Sequence, residues 1–392
     1  MLDKLAEVDI SDRQVGRITA EIGAEMARQR DLKTARSRDK TRPAAVAGIP
    51  RVAVVEIDGG RFQARASAAG RGPGAHDVAW KEDKVACLVT MTGETFDHDP
   101  HPDLPACFTD KPEVTKLIKG LTSQGSLSEL TDPSDGDETP EPRVLVADTP
   151  DLPPPWPPQP LVRTTVATTR DCDALGPMAA AEAHARNFDR APRQVFLGDG
   201  GKWIWGIQKT YFAKYTAIVD FIHALSYVYL AAKAVGTSST EHWETYLRWA
   251  RACWQGDVET VLTELNRWRD HLGPIPEDED VPKTDPRKVV ATTWGYLENN
   301  RPRMNYPHYR RAGLPTMSGL VESLIKQFNY RVKGTEKSWT LKNAESILQV
   351  RAAVLSEDER FEKHMENRPC PQFRRYEKTS KNTEPEKVKK VG

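Results

Sequence analysis

Two short apolar runs, each ending in an aspartate, constrain the fold of this chain most. Residues 51–58, RVAVVEID, are rich in β-branched side chains and predict a strand that ends at Asp58. Residues 194–199, QVFLGD, predict a short buried strand that ends at Asp199, which two glycines follow. Carboxylates at the ends of buried strands repel each other and lose hydration, so they are tolerated when a cation neutralises them. The two runs therefore indicate a sheet with a candidate cation site.

A third carboxyl, Glu322, lies in an apolar helical stretch, LVESLI, at residues 320–325. Hard oxygen ligands select Mg²⁺ or Mn²⁺ over zinc, and two such ions about 3.5–4 Å apart can hold both oxygens of an in-line phosphoryl transfer. Each carboxyl alone also has a simpler interpretation. A strand-end aspartate commonly forms a turn or caps a helix, and such a glutamate commonly lies on the exposed face of its helix. The order of all three along the chain is more specific than any one of them.

The remaining pattern predicts an α/β fold. Residues 61–65 predict a return strand after a turn at Gly59–Gly60, and residues 84–91 predict a third strand, so the three form an antiparallel meander. Residues 216–219 predict a further strand. Helices are predicted over residues 173–188, 202–212, 220–234, 319–331 and 341–355, and in a tryptophan-rich section at about 238–300.

The first 42 residues predict helix because no proline occurs before Pro43. Ser11 is placed to cap the amides that follow it. A short helix starting there, with Arg13 and Arg17 facing outward, resembles the second helix of a helix-turn-helix. An ordinary amphipathic helix packed on the core is the alternative.

Residues 92–162 are dense in proline, glycine and acid, a composition that favours extended or disordered chain. We interpret this stretch as a surface insertion or linker with one short helix near residues 114–121. The chain from Ser356 onward is polar and charged, and predicts a tail that is loose at its end.

The charge is balanced overall, with 56 basic and 56 acidic residues, which argues weakly against a nucleic-acid binder. Its distribution is uneven. Residues 28–51 hold eight basic and two acidic residues, residues 301–351 hold ten and three, and residues 94–151 hold four and fourteen. The basic runs could track a phosphate backbone or could be solvated faces.

Composition also limits the setting of the protein. No stretch of 18 apolar residues occurs, and the first residues lack the apolar run of a secretory signal, so we expect no membrane partner. Five cysteines are scattered without a Cys-x-x-Cys pair, which argues against a disulfide framework or a zinc ribbon. These features predict a cytoplasmic protein.

Four segments resemble a known family, the DDE transposases with a ribonuclease-H-like catalytic domain. More narrowly, they resemble the bacterial insertion-sequence transposases of the Kra group, relatives of Mutator-like and hAT-like enzymes. The segments are VAVVEIDGGRFQAR, VFLGDGGKWIW, IVDFIHALSYVYLAAKAV and SGLVESLIKQFNYRVKGTEKSWTLKNAESILQVRA. The resemblance implies a ribonuclease-H-like mixed-sheet core with an all-helical insertion and an N-terminal helical segment.

The implied organisation has three parts. Residues 1–48 would be a helical region holding a partial helix-turn-helix. Residues 49–356 would be the catalytic domain, with the acidic insertion at 92–162 and a helical insertion at about 225–318. Residues 357–392 would be a charged tail. Such transposases usually carry a larger N-terminal end-binding region, so an N-terminally truncated copy is one expectation.

The resemblance also implies a reaction and a site. Asp58 and Asp199 would hold two Mg²⁺ or Mn²⁺ ions, and Glu322 would complete the second metal site. Water would attack a phosphodiester at a transposon end, and the freed 3′-hydroxyl would attack target DNA. The partner would be DNA in the nucleoid, and the protein would be a homodimer or larger when bound to two ends.

Further residues are implied as accessory. Asp220 and His223 match an Asp-x-x-His motif of such relatives, at i and i+3 on one helix face. His223 would touch a phosphate or orient the scissile strand, with a buried core histidine as the alternative. Candidate phosphate contacts are Lys326, Arg331, Lys333, Lys337, Lys342, Arg13 and Arg17.

Other classes remain open at this point. A nuclease of the same fold would hydrolyse DNA without strand transfer, and a domesticated transposase would bind DNA without cleaving it. The helical insertion and the Asp-x-x-His motif favour the transposase, while the intact carboxylates argue against a decayed site. An unrelated helical scaffold would explain the tryptophans, which either stack on unpaired bases or pack in the core, but not the strand-end carboxylates.

Overall fold

The protein is described by a computed structural model that covers residues 11–38, 46, 48–65, 78–124, 127, 130, 157–276, 279–332 and 339–368. For residues 78, 123–124, 322 and 329–332 it describes the backbone alone. Within these ranges, no helix is both long enough and apolar enough to cross a bilayer. The described residues form a mixed α/β structure around one five-stranded sheet.

The sheet has the spatial order β3-β2-β1-β4-β5. Its strands are β1 (Val52–Arg65), β2 (Val78–Met91), β3 (Pro160–Thr168), β4 (Arg193–Gly198) and β5 (Thr216–Val219). β1, β2 and β3 pair antiparallel, whereas β4 is parallel to β1 and β5 is parallel to β4. The expected mixed α/β architecture is therefore confirmed, and β1 lies at the centre of the sheet.

β1 runs for 14 residues without a break, so the predicted strand end at Asp58, the turn at Gly59–Gly60 and the separate return strand at 61–65 are all wrong. Gly59 pairs with Lys84, and Gly60 pairs with Asp83. A Gly-Gly pair is typical of hairpin turns, but here β2 pairs with β1 along its whole length and holds both glycines in the strand. The antiparallel meander exists, with β3 as its third strand.

Helices cover both faces of the sheet. They are α1 (Asp12–Arg38), α2 (Lys111–Gln124), α3 (Cys172–Ala185), α4 (Lys202–Tyr211), α5 (Phe221–Val235), α6 (Ser239–Trp254), α7 (Val258–Leu272), α8 (Pro286–Asn300), α9 (Tyr306–Arg311), α10 (Gly319–Val332), α11 (Leu341–Val354) and α12 (Arg360–Asn367). The helices expected from α3 to α11 are confirmed, with bounds within three residues of the predicted ones where these were given. α10 and α11 pack on one side of the sheet, and α3 and α4 pack on the other.

The N-terminal helix α1 is a single helix of 27 residues. Ser11 caps it as predicted, because the Gln14 amide donates to Ser11 Oγ at 3.3 Å and the Ser11 amide donates to Gln14 Oε1 at 3.0 Å. Ile22 and Met26 are buried where α1 packs against α11 and α3. Over the described residues, the packed amphipathic helix is therefore observed, and the short helix of a helix-turn-helix is not.

The acidic stretch at 92–162 contacts the rest of the protein at several described positions, although many of its described side chains are exposed. A surface insertion therefore fits residues 92–124 and 157–162 better than a linker. Tyr246 donates from its hydroxyl to the Phe108 carbonyl at 3.0 Å, and Arg310 pairs with Asp99 at 2.5 Å. These contacts join the stretch to the helical section, and the predicted short helix is confirmed within α2. Asp99 of the stretch thus serves as the partner of the buried Arg310 guanidinium. Most of residues 125–156 lie outside the described ranges.

The tryptophan-rich section forms helices α6 to α8 beside α5 and α9. Trp249 and Trp254 are fully buried, and Trp254 donates from Nε1 to the His101 carbonyl at 2.9 Å. Core packing is therefore confirmed for these two rings. In the predicted tail, α12 is docked by Arg360, which pairs with Glu182 on α3 at 2.6 Å. Residues 369–392 lie outside the described ranges.

Candidate metal site where the pairing of β1 and β4 stops

The parallel pairing of β1 and β4 brings two of the predicted carboxylates side by side. Its last paired positions are Ile57 and Gly198, and Asp58 and Asp199 are the next residues of their chains. Neighbouring strands lie about 4.8 Å apart, and paired residues point to the same face of a sheet. The register thus places two residues that are 141 positions apart in the sequence at adjacent points of the sheet.

Asp199 sits in a tightly built loop. Its Oδ1 accepts the Gly201 amide at 2.7 Å, and its carbonyl accepts the Tyr296 hydroxyl at 2.8 Å. Gly200 has φ +102°, and a Cβ there would lie 2.5 Å from the Tyr296 ring. The glycine is therefore required both by backbone conformation and by space. Asp58 on β1 is only 8% exposed, and its Oδ1 accepts the Gly59 amide at 2.6 Å.

The first turn of α10 lies against β1. The Val321 amide donates to Glu56 Oε2 at 2.9 Å, and Glu56 is fully buried two residues before Asp58, on the same face of the strand. Amides in the first turn of a helix lack partners within the helix, and the positive end of the helix favours a carboxylate. Glu322 follows Val321 directly, so its backbone lies beside the strand that carries Asp58. Its side chain is outside the described part of the structure.

Sequence reasoning missed Glu56. The signal was available, because Glu56 is the only ionisable residue between Val52 and Ile57 in a run of apolar side chains. A buried carboxylate needs a partner, and a helix N-terminus provides one. Glu56 therefore serves as the acceptor that fixes the start of α10 on the face of β1 that carries Asp58.

Asp220 fastens the neighbouring elements together. Asp220 is fully buried and caps α5. Its Oδ1 accepts a hydrogen bond from the Ser318 amide at 3.0 Å, and its Oδ2 accepts one from Nδ1–H of His223 at 2.6 Å. Its own amide donates to the Gly198 carbonyl at 2.8 Å. This one residue thus links the end of β4 through its amide, and the start of α5 and the segment before α10 through its side chain.

The predicted shared helix face of Asp220 and His223 is confirmed by this contact. His223 is 2% exposed, which matches the buried core histidine that was the alternative interpretation. In this structure its evident role is to position Asp220 rather than to present a side chain to solvent.

A second buried carboxyl that the sequence did not reveal is Asp83. It pairs with Gly60 on the face of the sheet that carries Asp58, and its exposure is 0%. Neither carboxyl oxygen has a hydrogen-bond partner among the described residues. Burial removes its hydration and raises the pKa of Asp83 to about 6. Asp83 was overlooked because the surrounding run, KEDK, has the composition of an exposed strand end.

The described side chains do not complete a metal cage. Among them, no three His, Cys, Asp or Glu groups lie close enough to hold one ion. Glu322 is outside that comparison because only its backbone is described. In the described ranges, no basic side chain forms an ion pair with Asp199. Asp58 and Asp199 thus offer oxygen donors of the kind that Mg²⁺ and Mn²⁺ take.

The candidate phosphate contacts are only partly described. Lys326 on α10, Lys342 on α11, and Arg13 and Arg17 on α1 are exposed. Only the backbone of Arg331 is described, and Lys333 and Lys337 lie outside the described ranges. Other members of the basic runs form internal ion pairs, among them Arg30 with Glu345 at 2.5 Å, Lys33 with Glu182 at 2.6 Å, and Arg310 with Asp99. Part of the basic character therefore stabilises the fold.

Comparison with known proteins does not identify the chain. No protein-family model matches it, and no curated protein matches its sequence. The resemblance to DDE transposases therefore stays a prediction from the sequence.

Proposed function

We propose that this protein is a DDE-type transposase, an enzyme that cleaves and rejoins DNA by metal-dependent phosphoryl transfer. One observation carries the proposal. Asp58 in β1 and Asp199 directly after β4 occupy adjacent positions where the pairing of these two parallel strands stops, and the first turn of α10, which contains Glu322, is hydrogen-bonded to the same face of β1. All three carboxylates named from the sequence thus belong to elements that meet at one edge of the sheet.

The topology supports a ribonuclease-H-like core. Three antiparallel strands are followed by a helix, two parallel strands with a helix between them, and a late helix against the central strand. Helices α5 to α9 lie between β5 and α10, where the expected helical insertion belongs. Fold alone does not define a reaction, so the proposal depends on the site rather than on this likeness.

The residues fit the implied cofactor by their donor chemistry. Asp58, Asp199 and Glu322 would provide the hard oxygen ligands that Mg²⁺ or Mn²⁺ takes. A pair of such ions, when bound, supplies electrostatic stabilisation of the attacking and leaving oxygens of a phosphodiester.

The chain's own contribution is to place the carboxylates in advance. The Gly201 amide and the Tyr296 hydroxyl hold the Asp199 loop. Glu56 and Asp220 hold the start of α10 through the amides of Val321 and Ser318. Groups fixed by buried contacts need little rearrangement when substrate binds. Such preorganised groups stabilise the charge of a transition state without a cost of reorganisation.

DNA is the proposed substrate and partner. Lys326 is exposed on α10 beyond the carboxylates, where a cation can contact a backbone phosphate. Because transposition joins two ends, the proposed active form is a homodimer or a larger assembly. Arg13 and Arg17 are exposed at the start of α1 and would extend the contact to DNA.

The proposal is tested by Mn²⁺-dependent cleavage of supercoiled plasmid. Asp58→Asn, Asp199→Asn and Glu322→Gln should each reduce cleavage by a factor of about 10³ or more, since each removes a negative charge from the proposed ion site. Glu244→Gln on the exposed face of α6 is the control and should cleave like the unchanged protein. Unchanged cleavage by any of the three variants would remove that residue from the site.

A second assay separates the transposase from a simple nuclease. A labelled DNA with a pre-formed 3′-hydroxyl end is incubated with target plasmid, and joined product is measured. The transposase proposal predicts joining that needs Asp58 and Asp199. Cleavage without joining would favour the nuclease, and DNA binding without either reaction would favour a non-catalytic protein.

A further inference from the structure

A cavity of about 260 Å³ lies at the end of β4 and β5 that is opposite to the carboxylates. Arg193 and Thr216, the first residues of these two parallel strands, line it, whereas Asp199 follows the last residue of β4. Because a strand rises by about 3.3 Å per residue, Arg193 and Asp199 are roughly 20 Å apart. The cavity, which we call the basic cavity, is therefore separate from the candidate metal site.

The titratable side chains that line the basic cavity are all basic. They are Arg193, Lys214 in the loop between α4 and β5, and His308 on α9, and Thr216 adds a hydroxyl. No aspartate or glutamate of the described ranges lines the cavity. Lys214 and His308 are exposed, and neither forms an ion pair with a residue that the structure describes. The lining thus favours a ligand with negative charge.

Arg193 holds its guanidinium in place without a carboxylate. Its Nη1 donates to the Ala312 carbonyl at 2.9 Å, and its Nη2 donates to the Gly93 carbonyl at 2.6 Å. These neutral partners use two of the five N–H donors of the side chain. Burial lowers the pKa of Arg193, and the positive charge of Arg51 lowers it further, but an arginine keeps its proton at neutral pH. The charge is therefore fixed in position, and donors remain for a ligand.

Two glycines leave room for this guanidinium. A Cβ at Gly313 would lie 2.9 Å from Arg193 Nη1, and a Cβ at Gly93 would lie 3.4 Å from the same atom. Gly313 also has φ +61°, a conformation that favours glycine. The backbone on both sides thus holds the donor before any ligand arrives, which reduces the cost of ordering it on binding.

A phosphate group fits this combination best. The planar guanidinium fork matches phosphate oxygens, and a lysine ammonium contributes as a point charge. The cavity is smaller than the roughly 300–1,000 Å³ of sites for drug-sized ligands, so it suits a small anion or one group of a larger molecule.

We propose that the basic cavity binds a phosphate group, with Arg193, Lys214 and His308 as the contacts. The phosphate belongs either to the backbone of DNA or to free phosphate, two sources of the same chemistry. The assignment to DNA rests on the proposed function, and it places a stretch of the duplex well away from the reacting bond. Binding of the group itself needs neither metal nor catalysis.

The first test is calorimetric titration with inorganic phosphate, in EDTA so that the carboxylates hold no divalent ion. Lys214→Glu should weaken binding roughly tenfold or more, since one charge-assisted contact is lost and a like charge replaces it. Arg193→Gln should weaken binding by at least as much, and urea unfolding of each variant shows whether the fold is kept. The control is Lys119→Glu, an equal charge reversal at an exposed position of α2.

The second test is fluorescence anisotropy with labelled duplex DNA, in EDTA and over a series of salt concentrations. Lys214→Ala should make the log–log dependence of affinity on salt shallower by about 0.9, as expected for one lost phosphate contact on a duplex. Lys119→Ala should leave the slope unchanged, because its side chain is exposed on α2 and does not line the basic cavity.

The two probes distinguish the sources of the phosphate. An effect of Lys214 on duplex binding alone assigns the cavity to the DNA backbone, and an effect on inorganic phosphate alone assigns it to a small phosphate compound. Lys214 variants that bind both probes like the unchanged protein would overturn the proposal, and so would equal effects of the Lys119 variants.

The outcomes also separate this proposal from the enzyme assignment. If phosphate binding depends on Lys214 but the protein never cleaves DNA, the basic cavity stands and the transposase proposal fails. If the protein cleaves DNA with Mn²⁺ but neither probe responds to Lys214, the transposase proposal stands and the cavity proposal fails.

Discussion

Replacing Asp83 by asparagine removes a buried charge whose effect on stability can be worked out. Asp83 has 0% exposure, and its carboxyl oxygens have no hydrogen-bond partner in the described part of the chain. Its pKa is raised from the ordinary value of 3.8 to about 6 because burial strips its water. Asparagine has nearly the same shape and stays neutral at every pH of interest.

The sign follows from proton binding. The folded state holds the Asp83 proton more tightly than the unfolded chain does, so the unfolding free energy falls as the pH rises through the interval between the two pKa values. The interval is about 2.2 pH units, and each unit corresponds to about 1.36 kcal/mol. Above pH 6 the buried charge of Asp83 therefore lowers the unfolding free energy by about 3 kcal/mol. The unfolding free energy of Asp83→Asn, relative to that of the unchanged protein, should therefore rise by about 3 kcal/mol between pH 4 and pH 7.

The assay is urea unfolding followed by tryptophan fluorescence, from pH 4 to pH 7.5 in EDTA. The quantity of interest is how the difference in unfolding free energy between the two proteins changes with pH. Any penalty for burying the asparagine amide is the same at every pH and does not affect that change. Asp103→Asn, at an exposed position, is the control and should give a flat difference. A flat difference for Asp83→Asn, or one that falls with pH, would refute the reasoning.

Three further changes have defined outcomes. Glu56→Ala should cost about 1–3 kcal/mol in urea unfolding, because an amide of α10 loses its buried acceptor, and should weaken Mn²⁺ binding in calorimetry. Gly200→Ala should cost about 1–3 kcal/mol in the same unfolding assay and slow Mn²⁺-dependent cleavage, since its φ of +102° and the Tyr296 ring exclude a side chain. Burial opposes ionisation of Glu182, but two cationic partners lower its pKa below the ordinary 4.5. Glu182→Gln should therefore destabilise above pH 4.5, and a pH series should show the difference shrinking as the acid range is entered.

The sequence predicted strands and helices correctly where the pattern of apolar and polar residues within the segment itself decides which side chains are buried. The runs at β4 and β5 and the helices from α3 to α11 are short, strongly patterned and bounded by turn residues. Asp58 and Asp199 could be named because a carboxylate directly after a short apolar run is conspicuous, although the strand that carries Asp58 continues to Arg65. Their adjacency could not be read from either run, since it depends on the parallel register of β1 and β4.

The missed features depend on partners distant in the sequence. Gly59–Gly60 resembles a turn until β2 pairs across it. Glu56 has its acceptor role only because α10 returns to β1 from 265 positions away. The acidic stretch looked unable to pack because its partners, Tyr246 and Arg310, lie in the helical section. Composition describes a segment alone, whereas burial depends on what it meets.

Anomalous diffraction from crystals soaked in Mn²⁺ tests the central claim most directly. The account predicts two peaks about 3.5–4 Å apart, with oxygens of Asp58, Asp199 and Glu322 within about 2.0–2.6 Å of them, the span of divalent-cation bonds to oxygen. Absence of a peak at the Asp58–Asp199 edge in fully soaked crystals, or a Glu322 carboxylate directed away from it, would contradict the account.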